Sequence, residues 1–379
     1  MCNIISKALC IWLFLAIVHI PEYHYGQNNQ KKDSLTLLFM GDIMGHDSQI
    51  SAAFNVKTST YDYNGVFNKI SPIISKVDFA IANLEVTLAG APYKGYPQFS
   101  SPDALAVACK NNGIDVLVTA NNHSCDRGSR GLLRTIHTLD SIGIHHTGTF
   151  RDANDRANNN LLIMENNNIK VGLLNYTYGT NGIPVPKPQI VNLIDTLVIK
   201  NDISKAKSAA LDKLIVVLHW GKEYETSPAK SQMQLADFMF KKGVDIIIGS
   251  HPHVLQKMEY KPKENENKEN LIAYSLGNLV SNQRTQKRDG GAMFEITITK
   301  TNNVATISDF GYYLTWVNKP MINGKSQFEI IACSIYESDG DPLLDEASKS
   351  QMEVFMSDSR LLLENENQSV KELKYSNHK

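Results

Sequence analysis

The chain has 379 residues, 42% hydrophobic and 20% charged, enough to bury a large globular core in one or two domains. Its 38 Lys and Arg against 39 Asp and Glu leave a formal net charge of −1. That balance excludes the strong one-sign field of a nucleic-acid binder or an anionic-membrane binder, and no nucleic-acid partner is expected.

Lys7 precedes an apolar run over residues 8–18, which His19, Pro21, Glu22 and His24 then interrupt. A membrane-spanning helix needs ~20 apolar residues, whereas a basic residue ahead of ~7–15 apolar ones is the pattern of a secretory signal. Residues 1–26 are therefore read as a signal peptide, with Gly26 at the cleavage point. Whether the segment is cleaved or retained stays open. The protein is expected to be exported: periplasmic, secreted or associated with the cell envelope. Cys10 lies at the start of the apolar run rather than its end, which argues against a lipid-modified cysteine. Loss of the segment leaves Cys109, Cys125 and Cys333, without CxxC spacing and too few for a closed disulfide framework.

Residues 27–34 form a polar linker, after which short apolar runs begin. Residues 35–40, 79–82, 116–119, 171–174, 214–218, 245–248 and 271–273 each read as a buried strand. Between them lie stretches long enough for helices, such as 129–142 and 227–242, the latter opening on Ser227-Pro228. Strands alternating with helices predict an α/β fold with parallel pairing and helices on both faces. After Gly290 the rhythm changes, and 292–299, 304–310 and 312–317 read as strands of an antiparallel extension. A helix over 342–363 follows. The expected organisation is a main domain over 35–285, C-terminal strands and a helix over 286–365 packed on it, and a flexible tail over 366–379. The Asn-rich stretch 154–160 and the Glu-Asn alternation of 261–270 read as surface loops.

Residues of metal-ligand type stand immediately after five of the strands. They are Gly41-Asp42, Asn83-Leu84-Glu85, Asn121-Asn122-His123, His219-Trp220-Gly221 and His251-Pro252-His253. In a parallel sheet these ends share one edge, where α/β folds place their ligand sites. Taken singly, a Gly-Asp is more often a turn, an Asn a residue that tolerates unusual backbone angles, and a His an ordinary hydrogen-bonding group. Five together point to one metal or catalytic site. Asp42, Glu85, Asn122, His219, His251 and His253 offer carboxylate, amide and imidazole without thiolate. That set suits one or two divalent ions such as Mn, Fe or Zn, and disfavours structural zinc. The two oxygens of Glu85 can bridge ions ~3.5–4 Å apart. Arg127, Lys222 and Arg284 are candidates for holding an anionic substrate, and residues 175–179 and Asn278 for lining the pocket.

These motifs, together with Gly41-Asp42-Ile43-Met44-Gly45-His46 and Tyr274-Ser275-Leu276-Gly277-Asn278, resemble the CapA family associated with poly-γ-glutamate capsule synthesis. The domain of that family is similar to the calcineurin-like metallophosphatases, and the resemblance implies a four-layer α/β sandwich. It further implies that Asp42 matches the first metal-binding aspartate and Glu85 the bridging one. Asn122, His219 and His251 would complete a second ion and His253 return to the first. His123 would contact substrate or protonate the leaving group. The chain departs from metallophosphatases at Met44, where they carry a histidine, and at Glu85, one methylene longer than aspartate; His46 is the nearest substitute for the missing imidazole. The function so implied is synthesis, export or anchoring of a capsule polymer through a metal-dependent, hydrolase-like site. The substrate would be an anionic polymer or small anion, and membrane-bound capsule-synthesis components would be partners. A secreted dinuclear metallophosphoesterase and a non-enzymatic polymer-binding protein with a degraded metal site are the alternatives.

Overall fold

The structure is a computed structural model that describes residues 33–263 and 268–375. The segment read as a signal peptide lies outside the described residues.

The strand Asp33–Ile43 shows how the layers arise. Leu35, Leu37 and Phe39 enter one apolar core while Leu38 and Met40 enter another, so the strand is buried on both faces. Its unbroken apolar run is the pattern of a strand between two covering layers. A nine-stranded sheet is built around it. The order is Glu329–Ala332, Val304–Asn318, Gly290–Thr301, Asp33–Ile43, Phe79–Leu84, Val116–Val118 and His145–Thr147. Asn278–Val280 pairs beside Asp33–Ile43, and Lys371–Glu372 beside Val304–Asn318. The second sheet has six strands in the order Leu255–Lys263, Lys268–Leu276, Ile246–Ser250, Lys213–His219, Ile169–Thr177 and Leu162–Asn166.

Between the sheets, Leu37, Phe39, Val118 and Phe294 meet Leu173, Ile215, Val217 and Ile248. Each such side chain contributes about 1.5–3 kcal/mol when fully buried. On the outer face of the larger sheet, Leu38, Met40 and Leu117 pack with Leu105 of helix Ala104–Asn111 and Leu139 of helix Gly128–Ile142. On the outer face of the smaller sheet, Val216, Leu218 and Ile247 pack with Ile199 of helix Thr196–Lys207 and Met239 of helix Lys230–Lys242. Helix, sheet, sheet, helix is the four-layer α/β sandwich expected. The helix Glu346–Glu366, capped where Asp345 accepts the Ser348 N–H at 2.8 Å, sends Met352, Phe355 and Leu363 into the inter-sheet core. Among the described residues no helix is long and apolar enough to cross a membrane.

Four local readings of the sequence differ from the structure. The strands expected at 304–310 and 312–317 are one, Val304–Asn318, because pairing with Gly290–Thr301 continues through Gly311 opposite Glu295. The loop expected at 154–160 is mostly the helix Ala153–Asn159, whose N-terminus Asp152 caps by accepting the Asp155 N–H. This cap offsets the weak helix propensity of the asparagines. Residues 261–263 and 268–270 extend a hairpin, in which Pro262 is tolerated because its strand is at the sheet edge. The segment expected to be a loose tail returns to the sheet through Lys371–Glu372, held by Arg360, which bonds Glu372 at 2.7 Å. Tyr375 beyond it is buried.

Candidate metal centre

The site forms where the parallel strands of both sheets end. In the larger sheet Asp42 is in register with both Asn83 and Asn278. In the smaller one His219 is in register with Ser250. The chain crosses between the sheets at this edge, leaving Lys268–Leu276 and entering Asn278–Val280 through Gly277 at φ +68°. Gly277 O accepts the Asp42 N–H at 3.0 Å. A Cβ on Gly41 would stand 2.0 Å from that oxygen, so a side chain there would force the two sheets apart. The crossing thus fixes Asp42 against the loop that carries the paired histidines.

The six residues named from sequence converge. Two groups of ligand atoms, Glu85 with His251 and His253, and Asp42 with Glu85 and His219, each lie within 4.8 Å of one another. Glu85 Oε1 is 3.4 Å from His219 Nε2 and 3.7 Å from His253 Nε2. His219 Nε2 is also 2.9 Å from Asn122 Oδ1. Asp42 Oδ2 lies 3.2 Å from His253 Nδ1 and accepts the His251 N–H at 3.3 Å. His251 and His253 adopt φ of +95° and +56°, costly for non-glycine residues. Such strain persists only where surrounding contacts over-determine it, as at a ligand clamp.

Asp42, Glu85 and His219 are fully buried, and neither oxygen of Glu85 has a hydrogen-bond partner. His251 Nδ1 is likewise unpartnered. Burial, and then the Asp42 charge, push the Glu85 carboxyl well above its ordinary range. Burial and the neighbouring histidines push His219 well below the imidazole range and His251 down to about 3. His219 and His251 are therefore neutral near pH 7, the form that binds metal, while neither oxygen of Glu85 has a hydrogen-bond partner. A divalent cation meets all of these requirements, and the carboxylate, amide and imidazole donors fit one. Met44, by contrast, is buried in the apolar cluster with Val86, Leu88 and Phe99, and donates nothing.

Surrounding groups aim the ligands. Ser250 Oγ, 3.0 Å from His219 Nδ1, can accept its proton and leave Nε2 free for an ion. Asn278 Oδ1 stands 3.0 Å from His253 Nδ1. Asn83, which the ligand set from sequence omitted, donates to Asp42 Oδ1 at 2.7 Å and lies 3.2 Å from His219 Nδ1. Its signal was its place two residues before Glu85, on the same face of a strand. His123 Nδ1 pairs with Asp126 Oδ2 at 2.8 Å, and its ring meets the Phe99 ring edge-on at 4.6 Å. Tyr178, inside the 175–179 stretch, covers the cluster, 4.5 Å from the His251 ring and stacked on His219.

The accessory residues divide. Asn278 joins the cluster. His46 lies beside it, its Nδ1 accepting the Asn282 N–H at 3.2 Å and its ring on Phe99. Arg127 is half-buried, with an unpartnered Nε. Lys222 is mostly exposed and pairs with Glu225 at 3.1 Å. Arg284 is half-buried, its guanidinium donating to Val317 O at 2.6 Å and lying over Trp316. Cys109, Cys125 and Cys333 are all buried free thiols.

A family model described as bacterial capsule synthesis protein PGA_cap matches residues 36–283, the span that carries every ligand above. The chain belongs to this family. The capsule biosynthesis protein CapA of Bacillus anthracis is 30% identical over 281 residues, covering 70% of this chain and 64% of that one. The PGA biosynthesis protein CapA of Bacillus subtilis (strain 168) is 26% identical over 328 residues, covering 84% and 76%. The chain thus spans somewhat less than two-thirds of the first relative. Solved structures that it resembles include the NAD nucleotidase of Haemophilus influenzae, at 12% identity and TM-score 0.49, covering 88% of this chain and 61% of that one. The calcineurin-like phosphoesterase YfkN of Bacillus subtilis has 12% identity and TM-score 0.42, covering 86% and 98%. The chemistry of this PGA_cap member has to be read from its own residues.

Proposed function

We propose that the protein is an exported CapA-type component of capsule-polymer biosynthesis, export or anchoring, acting on poly-γ-glutamate or a related anionic polymer. Its site would hold one or two divalent ions, of Mn, Fe or Zn, and membrane-bound synthesis components would be its partners in the cell envelope. The observation that carries this reading is the buried, unpartnered Glu85 carboxylate ringed by Asp42, His219, His251 and His253. Asp42 and His253 with Glu85 would hold one ion; Asn122, His219 and His251 with Glu85 would hold the other. A bound ion supplies Lewis-acid polarisation of an amide carbonyl or phosphoryl group. His123, oriented by Asp126, is suited to give a proton to the departing nitrogen or oxygen. Tyr178 lies against the His251 ring and stacks over His219, where it would shield the histidines on one side.

The same His123–Asp126 pair also favours a second reading, a secreted metallophosphoesterase. The buried apolar Met44 favours a third, a polymer-binding protein with a weakened site. Elemental analysis of the purified full chain, with assays on poly-γ-glutamate and on simple phosphate esters, separates the three. Bound metal, lost in Glu85→Gln, together with binding or cleavage of poly-γ-glutamate is the expected result. Ester hydrolysis abolished in Asp42→Ala and His123→Ala would instead select the phosphoesterase. A metal-free protein whose function survives His253→Ala would select the binding protein and end the metal proposal.

A further inference from the structure

Several cations near the cluster are already committed. Lys222 is paired with Glu225, and Arg284 is bound to Val317 O and seated on Trp316. Arg288 differs. Its guanidinium lies 3.3 Å from the centre of the Tyr224 ring, and among the described residues no carboxylate is within ion-pair distance of it. Its main chain is tied to the site: Arg288 O accepts from Asn278 Nδ2 at 2.8 Å, and the same Asn278 holds His253 through Oδ1 at 3.0 Å. The supporting tyrosine is tied there as well. Tyr224 donates its N–H to Pro252 O at 2.8 Å, between the two histidines, and its ring is 6.2 Å from the His253 ring. It does so at φ +68°, an outlier for a bulky residue, and the residue stays 39% exposed, so burial does little to repay the strain.

We propose that Arg288, held on the face of Tyr224, is the anchor for an oxyanion of the substrate, carboxylate or phosphate, at the His253 end of the cluster. The proposal deepens the reading above and rests on it for the assignment of the cluster as the reacting centre. An aromatic platform leaves the donor edges of a guanidinium free, and those edges match a carboxylate or phosphate with two parallel hydrogen bonds. The exposed acid Glu223 bonds the Tyr224 hydroxyl, at the rim of the same ring. A γ-linked glutamyl polymer carries one free carboxylate per residue next to each amide, so one anchored carboxylate would set a neighbouring amide against the cluster.

Calorimetric titration of the full chain with inorganic phosphate, with a γ-glutamyl oligomer, and with the same oligomer as its uncharged methyl ester tests the idea. Arg288→Gln is expected to weaken both anions at least tenfold, with bound metal unchanged and the ester bound poorly throughout. Arg288→Lys should retain part of the affinity, Tyr224→Phe most of it and Tyr224→Ala little, which separates a lost anchor from a misfolded variant. Wild-type protein that binds neither anion, or variants that bind both as tightly as wild type, would overturn the anchor. Arg288-dependent binding of phosphate without the oligomer would keep the anchor and remove the polymer from the proposed function.

Discussion

Between the sheets, Leu37, Phe39, Ile215 and Phe294 are buried with no polar side-chain atom to satisfy. At the strand ends of the same two sheets, Asp42, Glu85 and His219 are just as buried, yet neither oxygen of Glu85 has a hydrogen-bond partner. His251 and His253 beside them are held at backbone angles that L-residues seldom adopt. The core region stabilises; the strand-end region is stabilised by it and gives some of that free energy up. One set of strands can do both because a strand's interior and its end face different neighbours: a sheet in one case, converging loops in the other.

The largest expected break in this contrast is Phe294→Ala. It should lower the unfolding free energy by about 3–5 kcal/mol in denaturant melts, with ligand geometry retained in the folded fraction. Acid should come next, acting on the polar region alone. In the unfolded chain an imidazole takes up its proton near 6.5, whereas folded His251 resists to about 3. Between those values the unfolded state binds more protons. Stability of the chelated protein is thus full above pH 6.5 and lost as pH falls, by on the order of 1.4 kcal/mol per unit for each such histidine. Glu85, raised instead, opposes this by destabilising the chelated protein as pH rises past the carboxylate range. Added Mn²⁺ should reverse that loss, and pH-dependent melts with and without the ion read both effects.

A smaller change should follow Asn278→Ala, which leaves Asp42 Oδ2 as the remaining acceptor at His253 Nδ1. Metal affinity measured by competition with a chelator is expected to fall ~10–100-fold with the fold intact. Smallest is Lys222→Ala, which removes an exposed pair worth ~1 kcal/mol or less. A large loss of anion binding in this variant would return Lys222 to the site and blur the distinction drawn with Arg288.

The strands and the ligands that end them were legible in the sequence for one reason. An apolar run buried on both faces leaves a continuous record, and a metal-ligand residue directly after it stands out against that record. Parallel pairing then requires the ends to share an edge, so the convergence of Asp42, Glu85, Asn122, His219, His251 and His253 followed from local pattern. What depended on distant partners was not legible. Gly311 reads as a break until a neighbouring strand bridges it, and the chain beyond residue 366 reads as loose until Arg360 and the sheet edge capture it. Arg284 and Arg288 stand in one short stretch of chain, yet one donates to Val317 O and lies over Trp316 while the other faces Tyr224. Sequence determined which residues could hold an ion. Only the tertiary structure decided which charges were left unpaired beside it, because pairing depends on what the fold brings within about 4 Å.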